Sequence, residues 1–336
     1  MTSLPKLKLA FSDFWYGFDP ERNFFVDLLR TRFDVELSSN PDILFCSTFG
    51  ERWRSYACPR ILFTGENIEP DFRLFDAGLS YADSGERSYY LPLYRIYGVY
   101  KACFRERRIT YGEWKDRRRV ATVFSNKERF RTWAFRYLDK RIGVGSGGRA
   151  FNNVGGPVPD KVAFLKGYRF SIAFENTRWP GYTTEKLLES YAAGTVPIYW
   201  GDPVLRDWFD RGAFLTLGGK ADIERLSREL LRIGDDFDVY RSMYERPLFR
   251  DNVEPEPLRA ERIVDFLENV AAAGLRRSRR GRISDYQAFA WSYRWRFKQW
   301  NHVLRPFIAV LRGFAIFPFV FDRIKSFLRP LVRGDR

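Results

Sequence analysis

Residues 173–203, AFENTRWPGYTTEKLLESYAAGTVPIYWGDP, hold the densest set of side chains able to handle an anionic ligand. The segment reads as strand, loop, helix, strand. Pro180 and Gly181 suit the loop over 176–182 to a tight turn, and Thr183 or Thr184 can cap the helix that follows. A helix N-terminus presents free N–H groups and the positive end of its dipole, so Lys186 in the first turn would complete a seat for a diphosphate. The same spacing fits an ordinary amphipathic helix with Glu185 and Lys186 on its wet face, and spacing alone leaves both readings open.

The remaining chemistry is narrowed by what the chain lacks. Its single histidine, His302, falls near the C-terminus, which excludes a Ser-His-Asp or Cys-His site and any His-ligated metal from the body of the protein. Acid–base work there falls to Asp, Glu, Lys, Tyr or Cys. Cys46, Cys58 and Cys103 are too few and too scattered for a disulfide framework or a CxxC zinc site, and read as the thiols of a reduced, cytoplasmic protein. No signal peptide and no long charge-free apolar run is visible in the 336 residues.

The elements that would position these groups alternate. Strands are expected over 6–11, 33–38, 42–47 and 61–63, with a helix over 21–32. A charged stretch, 101–119, reads as an inter-domain connection. A second series follows: strands over 120–124, 170–176, 196–202 and 213–217, with helices near 127–139, 183–193, 221–232 and 258–273. Strand–helix alternation of this kind predicts parallel, helix-flanked sheets, and two such halves imply a cleft between them. Ligands of open parallel sheets bind beyond the carboxyl ends of strands. Three polar segments stand at such ends: 64–67 (TGEN), 175–177 (ENT) and 200–203 (WGDP).

Taken in order, Phe174-Glu175-Asn176, Gly181-Tyr182, Thr184-Glu185-Lys186 and Pro197-Ile198-Tyr199-Trp200-Gly201 resemble the donor-binding signature of the α-1,3-fucosyltransferases, the inverting glycosyltransferase family ten. Gly65-Glu66-Asn67, Pro70-Asp71-Phe72, Phe75-Asp76 and Pro92-Leu93-Tyr94 resemble the family's upstream segment, and Ser125-Asn126 with Arg131 its SN…R stretch. The resemblance covers roughly residues 40–250. It implies the GT-B architecture, with two facing Rossmann-like domains: an acceptor-side domain over 1–118 and a donor-binding domain over 119–275. It implies transfer of L-fucose from GDP-β-L-fucose to the 3-hydroxyl of N-acetylglucosamine, in N-acetyllactosamine or a lipopolysaccharide chain, without an essential metal or other cofactor. Arg131 and Lys186 would then stabilise the departing diphosphate. Asn176, Tyr182 and Glu185 would contact the nucleotide or fucose, and Glu66 would be the base for the attacking hydroxyl; the alternative for Glu66 is a local cap of its turn. Arg178-Trp179-Pro180 departs from the smaller, Gly-containing loop of relatives.

Other signals are weaker. Residues 143–148 fit GxGxxG without the expected helix behind them, and Asp236-Phe237-Asp238 is a DxD better explained by helix capping. The charge of +15 is concentrated at one end: 15 of the 57 Lys/Arg but only 3 of the 42 Asp/Glu lie in 276–336, a surplus of 12, which leaves a surplus of 3 over 1–275. In that tail Ile283, Tyr286, Ala290, Tyr293, Phe297, Trp300 and Leu304 step by three or four, the pattern of a basic amphipathic helix. Its partner would be the inner face of a membrane, or a second copy forming a homodimer through a coiled-coil seam. The near-neutral body offers no groove for nucleic acid. The same scaffold acting on another nucleotide sugar or acceptor, or serving as a non-enzymatic binding module, is the alternative reading.

Overall fold

The computed structural model describes residues 3–83 and 85–274, the last two of them as backbone alone; the tail reading over 276–336 lies outside the described residues. One compact unit comprises 3–78, 86–88 and 267–274, and a second comprises 79–83, 85 and 89–266.

The first sheet contains β1 (Lys6–Ser12), β2 (Asp34–Leu37), β3 (Ile43–Cys46), β4 (Arg60–Phe63), β5 (Ala77–Ser80) and β6 (Ser88–Tyr90), in the order β2-β1-β3-β4-β5-β6. The pairs β1–β2, β1–β3 and β3–β4 are parallel. Burial follows position. Every residue of β3 is buried, whereas edge strand β2 buries none. A parallel strand in mid-sheet is covered on both faces, which is why ILFC is apolar throughout. Helix α1 (Phe24–Leu29) begins where the Asn23 side chain accepts from the N–H groups of Phe25 (3.0 Å) and Val26 (3.1 Å).

The second sheet holds β7 (Arg118–Thr122), β8 (Val144–Ser146), β9 (Tyr168–Phe174), β10 (Val196–Trp200) and β11 (Leu215–Thr216), in the order β11-β10-β9-β7-β8 and parallel throughout. Helices α2 (Leu93–Ile96), α3 (Val99–Ala102), α4 (Tyr111–Asp116), α5 (Arg129–Ile142), α6 (Lys161–Lys166), α7 (Glu185–Ala192), α8 (Ile223–Gly234) and α9 (Phe237–Tyr244) belong to this unit, and α10 (Ala260–Gly274) follows. Phe170, Phe174, Val196 and Ile198 pack with Ala134, Leu138, Leu226 and Leu230 in one core, while Leu187, Leu188 and Tyr191 join Tyr94, Phe209 and Phe249 in another. Helix α8 buries Ile223, Leu226, Leu230 and Ile233, a three- and four-residue stepping that places one apolar stripe on the core.

The α/β class with parallel sheets agrees with the alternating pattern, and three short readings are refined. The charged stretch 101–119 carries α4, opened by a capping box between Thr110 and Glu113, and buries Trp114 in the core of the second unit. The centre of the GxGxxG stretch is itself strand β8, so it is not a phosphate turn. Asp236 caps α9, accepting from the Val239 N–H at 3.0 Å. Among the described residues no group of three or more His, Cys, Asp or Glu is placed to hold a metal, and no helix is long and apolar enough to cross a membrane.

Candidate active site

Strands β9 and β10 lie in register, Phe170 beside Val196 and Phe174 beside Trp200, so the chain leaves the sheet at Glu175 and Gly201 side by side. The Glu175 N–H donates to the Trp200 carbonyl at 2.8 Å, which carries the pairing one residue past the strand. A Cβ at position 201 would overlap the side chain of Glu175; the glycine of the PIYWG run is the space that this side chain occupies. Asp202, also buried, then ties down the loop that precedes α7. It accepts from the Gly181 N–H (2.9 Å) and the Thr183 hydroxyl (3.1 Å), and takes the Val204 N–H as well (2.9 Å). Gly181 itself stands at φ +77° with the Tyr81 carbonyl where a side chain would be, so only glycine fits both the turn and the contact.

Those constraints set the first turn of α7. Glu175 is fully buried, and its carboxylate accepts from the Thr184 N–H (2.7 Å) and the Thr184 hydroxyl (2.6 Å). Lys186 Nζ lies 3.2 Å from Glu175 Oε2, donates to Thr184 Oγ1 at 2.7 Å and meets Glu185 Oε1 at 3.1 Å. Burial pushes the Glu175 carboxyl up from its ordinary range, with Lys186 opposing. For Lys186 the balance goes the other way: burial lowers the ammonium, but Glu175 and Glu185 together outweigh it and hold the group above its ordinary value. Burial likewise raises Glu185, yet Lys186 and the helix N–H more than offset it, and Glu185 stays below the usual carboxylate range.

Arg131 reaches the same place from α5. It is 3 % exposed, its Nε (3.0 Å) and Nη2 both donate to the carbonyl of Phe174, and the guanidinium stacks over Phe124 with 5.0 Å to the ring centre. A cavity of about 250 Å³ opens at this end of the sheet. Arg131 and Lys186 line it together, as do Asn176, Glu185, Ser125 and Asn126. Glu185 Oε2 is buried there with no hydrogen-bond partner among the described residues. The cavity therefore offers a fixed guanidinium, a fixed ammonium and an acceptor without a donor, a combination matched to a ligand carrying both anionic oxygens and hydroxyl or N–H groups.

One charged wall residue is not marked by any motif in the sequence. Lys161, at the start of α6, lines the cavity and pairs with Glu189 of α7. Its place follows from α6 packing on α7, and no local motif marks it. Tyr182 does not line the cavity; its ring is 3 % exposed and meets Tyr81 edge-on at 5.6 Å. Glu66 belongs to the other unit. It sits half-buried just past β4, in a turn where its own N–H donates to Thr64 Oγ1 at 3.0 Å. The PDF and FD residues downstream are structural: Asp76 accepts from the Arg60 N–H (2.9 Å), and Arg87 donates to the carbonyls of Phe72, Phe75 and Asp76.

Comparison with known proteins gives this geometry a lineage. Residues 9–97 match the alpha-(1,3)-fucosyltransferase FucT N-terminal domain, and residues 113–262 match the C-terminal domain of glycosyltransferase family 10 (fucosyltransferase). An alpha-(1,3)-fucosyltransferase FucT of Helicobacter pylori is 28 % identical over 293 residues, which is 73 % of this chain and 61 % of that protein. An alpha-(1,4)-fucosyltransferase of Arabidopsis thaliana is 30 % identical over 113 residues, 28 % of either chain. The chain thus spans less than two thirds of these relatives' length. A crystal structure of an alpha1,3-fucosyltransferase with GDP-fucose superposes with a TM-score of 0.66 at 22 % identity, over 80 % of this chain and 91 % of that one, a likeness of fold. The two domain matches together take in most of the chain and carry the very residues that build the cavity: the chain belongs to glycosyltransferase family 10, the fucosyltransferases.

Proposed function

We propose that the protein transfers L-fucose from GDP-β-L-fucose to the 3-hydroxyl of an N-acetylglucosamine-containing glycan, with inversion at C1. The observation that carries this reading is the shared cavity lined by Arg131 and Lys186 at the N-terminus of α7. As the bond from C1 to the diphosphate oxygen breaks, its electron pair passes to GDP, and the growing negative charge falls on these two cations and on the helix dipole. Asn176 and Glu185 would hold the nucleotide or sugar by hydrogen bonds. Tyr182, buried beside them, would support the loop that frames the site. The acceptor oxygen forms the new bond to C1 and gives its proton to a carboxylate, a role we assign to Glu66.

The proposal is tested by incubating the protein with GDP-[14C]fucose and N-acetyllactosamine and following label in the glycan. Transfer is the expected result. The reading fails if label is neither transferred nor released by hydrolysis and GDP-fucose does not bind. Because two side-chain cations are assigned the charge that a metal would otherwise take, turnover should persist in excess EDTA; loss of more than tenfold would give that task to a divalent ion.

The tail supports a location. With a surplus of 12 positive charges and thirteen aromatic residues, 276–336 would bind the anionic inner face of a membrane, bringing a cytoplasmic enzyme to lipid-linked acceptors. Full-length protein should co-sediment with phosphatidylglycerol vesicles and leave them as salt rises. Equal binding to neutral vesicles, or none, removes the electrostatic account, and dimerisation without vesicle binding gives the segment to a second copy.

A further inference from the structure

The role of Glu175 is unaccounted for by the donor contacts assigned above. It touches no open part of the cavity, yet it is a fully buried carboxylate, which is a costly thing to place in a protein without a task or a full set of partners. Its partners are all donors. The Thr184 N–H meets Oε1, and the Thr184 hydroxyl and Lys186 Nζ meet Oε2. An acceptor met only by donors is the pattern of an ionised carboxylate. The hydroxyl of Thr184 completes a short chain, receiving from Lys186 and giving to Glu175. Gly201 keeps the space for the Glu175 side chain open.

We propose that Glu175 is a positioning residue of the donor site: its buried carboxylate fixes the first turn of α7 and serves as the permanent counter-ion that keeps Lys186 charged and held at the cavity wall. The inference rests on the donor reading for its purpose but not for its test. Lys186 is faced by Glu175 from the end of β9, by Glu185 on its own helix, by Arg131 from α5 and by Tyr97 from the α2–α3 connection, with Lys161 of α6 acting on Glu185. Arg131 repels the ammonium, so the two carboxylates alone offset both that repulsion and burial. Removing the charge of Glu175 leaves Glu185 as the sole nearby anion on Lys186 among the described residues.

The test reads the charge on Lys186 directly. Wild type and Glu175→Gln are labelled for short times with an amine-reactive ester between pH 7 and 10.5, and labelling at each lysine is read by mass spectrometry. Exposed Lys115 and Lys166 serve as the reference, and in the wild type labelling at Lys186 should still be rising at pH 10.5. In Glu175→Gln it should be about tenfold faster at pH 9 relative to those two, the change expected for a fall of one pKa unit. Glu175→Asp, which keeps the charge, should stay within threefold of wild type. GDP affinity, measured by calorimetry on the same proteins, should fall at least fivefold in Glu175→Gln. The inference is overturned if labelling at Lys186 levels off within that pH range in the wild type, a result that does not depend on any variant folding. It is equally overturned if Gln and Asp behave alike, which would make Glu175 a packing residue. Failure of the wild type to bind GDP would sink the donor reading, while the labelling ratio would still decide the place of Glu175.

Discussion

Replacing Lys186 by Met keeps the aliphatic stem and removes the ammonium, which leaves Glu175 as a buried carboxylate without its cation. At 3.2 Å the pair interacts by about 5 kcal/mol at an effective dielectric of 20. Breaking a buried pair by removing one partner costs roughly 3–5 kcal/mol, because the stranded charge stays desolvated. The cost has a ceiling set by protonation, and that gives it a sign. Burial already raises the Glu175 carboxyl and Lys186 lowers it, so without the lysine it rises further. A folded-state pKa above the unfolded one means that the folded variant gains stability from proton uptake at acid pH and loses it as pH climbs through the raised value. The deficit of Lys186→Met should therefore reach about 3–5 kcal/mol at pH 8, a fall in Tm of roughly 6–20 °C for a unit of this size, and shrink by half or more at pH 5. The one histidine of the chain lies in the tail, so no histidine of the body adds a slope of its own across that interval. Scanning calorimetry at the two pH values, with Lys186→Met/Glu175→Gln alongside, makes the measurement; the double variant should regain at least half of the loss at pH 8. An equal loss at both pH values, or a loss under 1 kcal/mol at pH 8, would show that Glu175 does not depend on Lys186 for its charge.

Two further outcomes follow from the site. Glu66→Gln should lower kcat by about 100-fold while GDP binding by calorimetry stays within twofold; near-wild-type turnover would move the base elsewhere. Gly201→Ala puts a methyl into the Glu175 side chain and should cost roughly 1–3 kcal/mol by overpacking and weaken GDP binding, whereas Gly219→Ala, which meets nothing within 4 Å, should melt with the wild type. Equal melting of the two variants would mean that Glu175 can move aside freely.

The parts of the fold that sequence reveals are those whose burial is uniform. FSIAFEN and VPIYW announce β9 and β10 because a mid-sheet parallel strand is apolar on both faces. Helices α5, α7, α8 and α10 show their apolar stepping within a few residues of their true ends. Strands β5 (AGLS) and β6 (SYY) escape notice because they are short and carry no β-branched residues, and α4 hides inside a charged run, with Trp114 as its one buried residue. At the site, Lys186, Arg131, Asn176 and Glu185 were legible as motif letters, and all four line one cavity. Lys161 was not, since its claim to the cavity comes from α6 packing on α7. The Glu of FEN looked like one more letter of a signature; only the packing of Gly201 against it and the donors around it give it a task.

The sequence suggested a cradle of cations, and the structure answers with a balanced one. Arg131, Lys161 and Lys186 are each met by an acceptor of the protein: the Phe174 carbonyl, Glu189, and the pair Glu175 and Glu185. On the donor reading, such balance is what a diphosphate site without a metal requires before its ligand arrives. Cations crowded at one cavity with no partners would repel one another and splay outward, or a buried lysine among them would lose its proton. Held by acceptors, they are already in position, so little reorganisation is left for the moment when charge develops on the departing group. The two carboxylates on Lys186 differ in the way this logic demands. Glu175 is fully buried, accepts two hydrogen bonds and pairs with the ammonium, and it has nowhere to turn. Glu185 is 19 % exposed and has one oxygen without a partner among the described residues. On the donor reading, the first stays with the lysine throughout, and the second is the one able to exchange the ammonium for a hydroxyl or N–H of the nucleotide as the diphosphate takes its place.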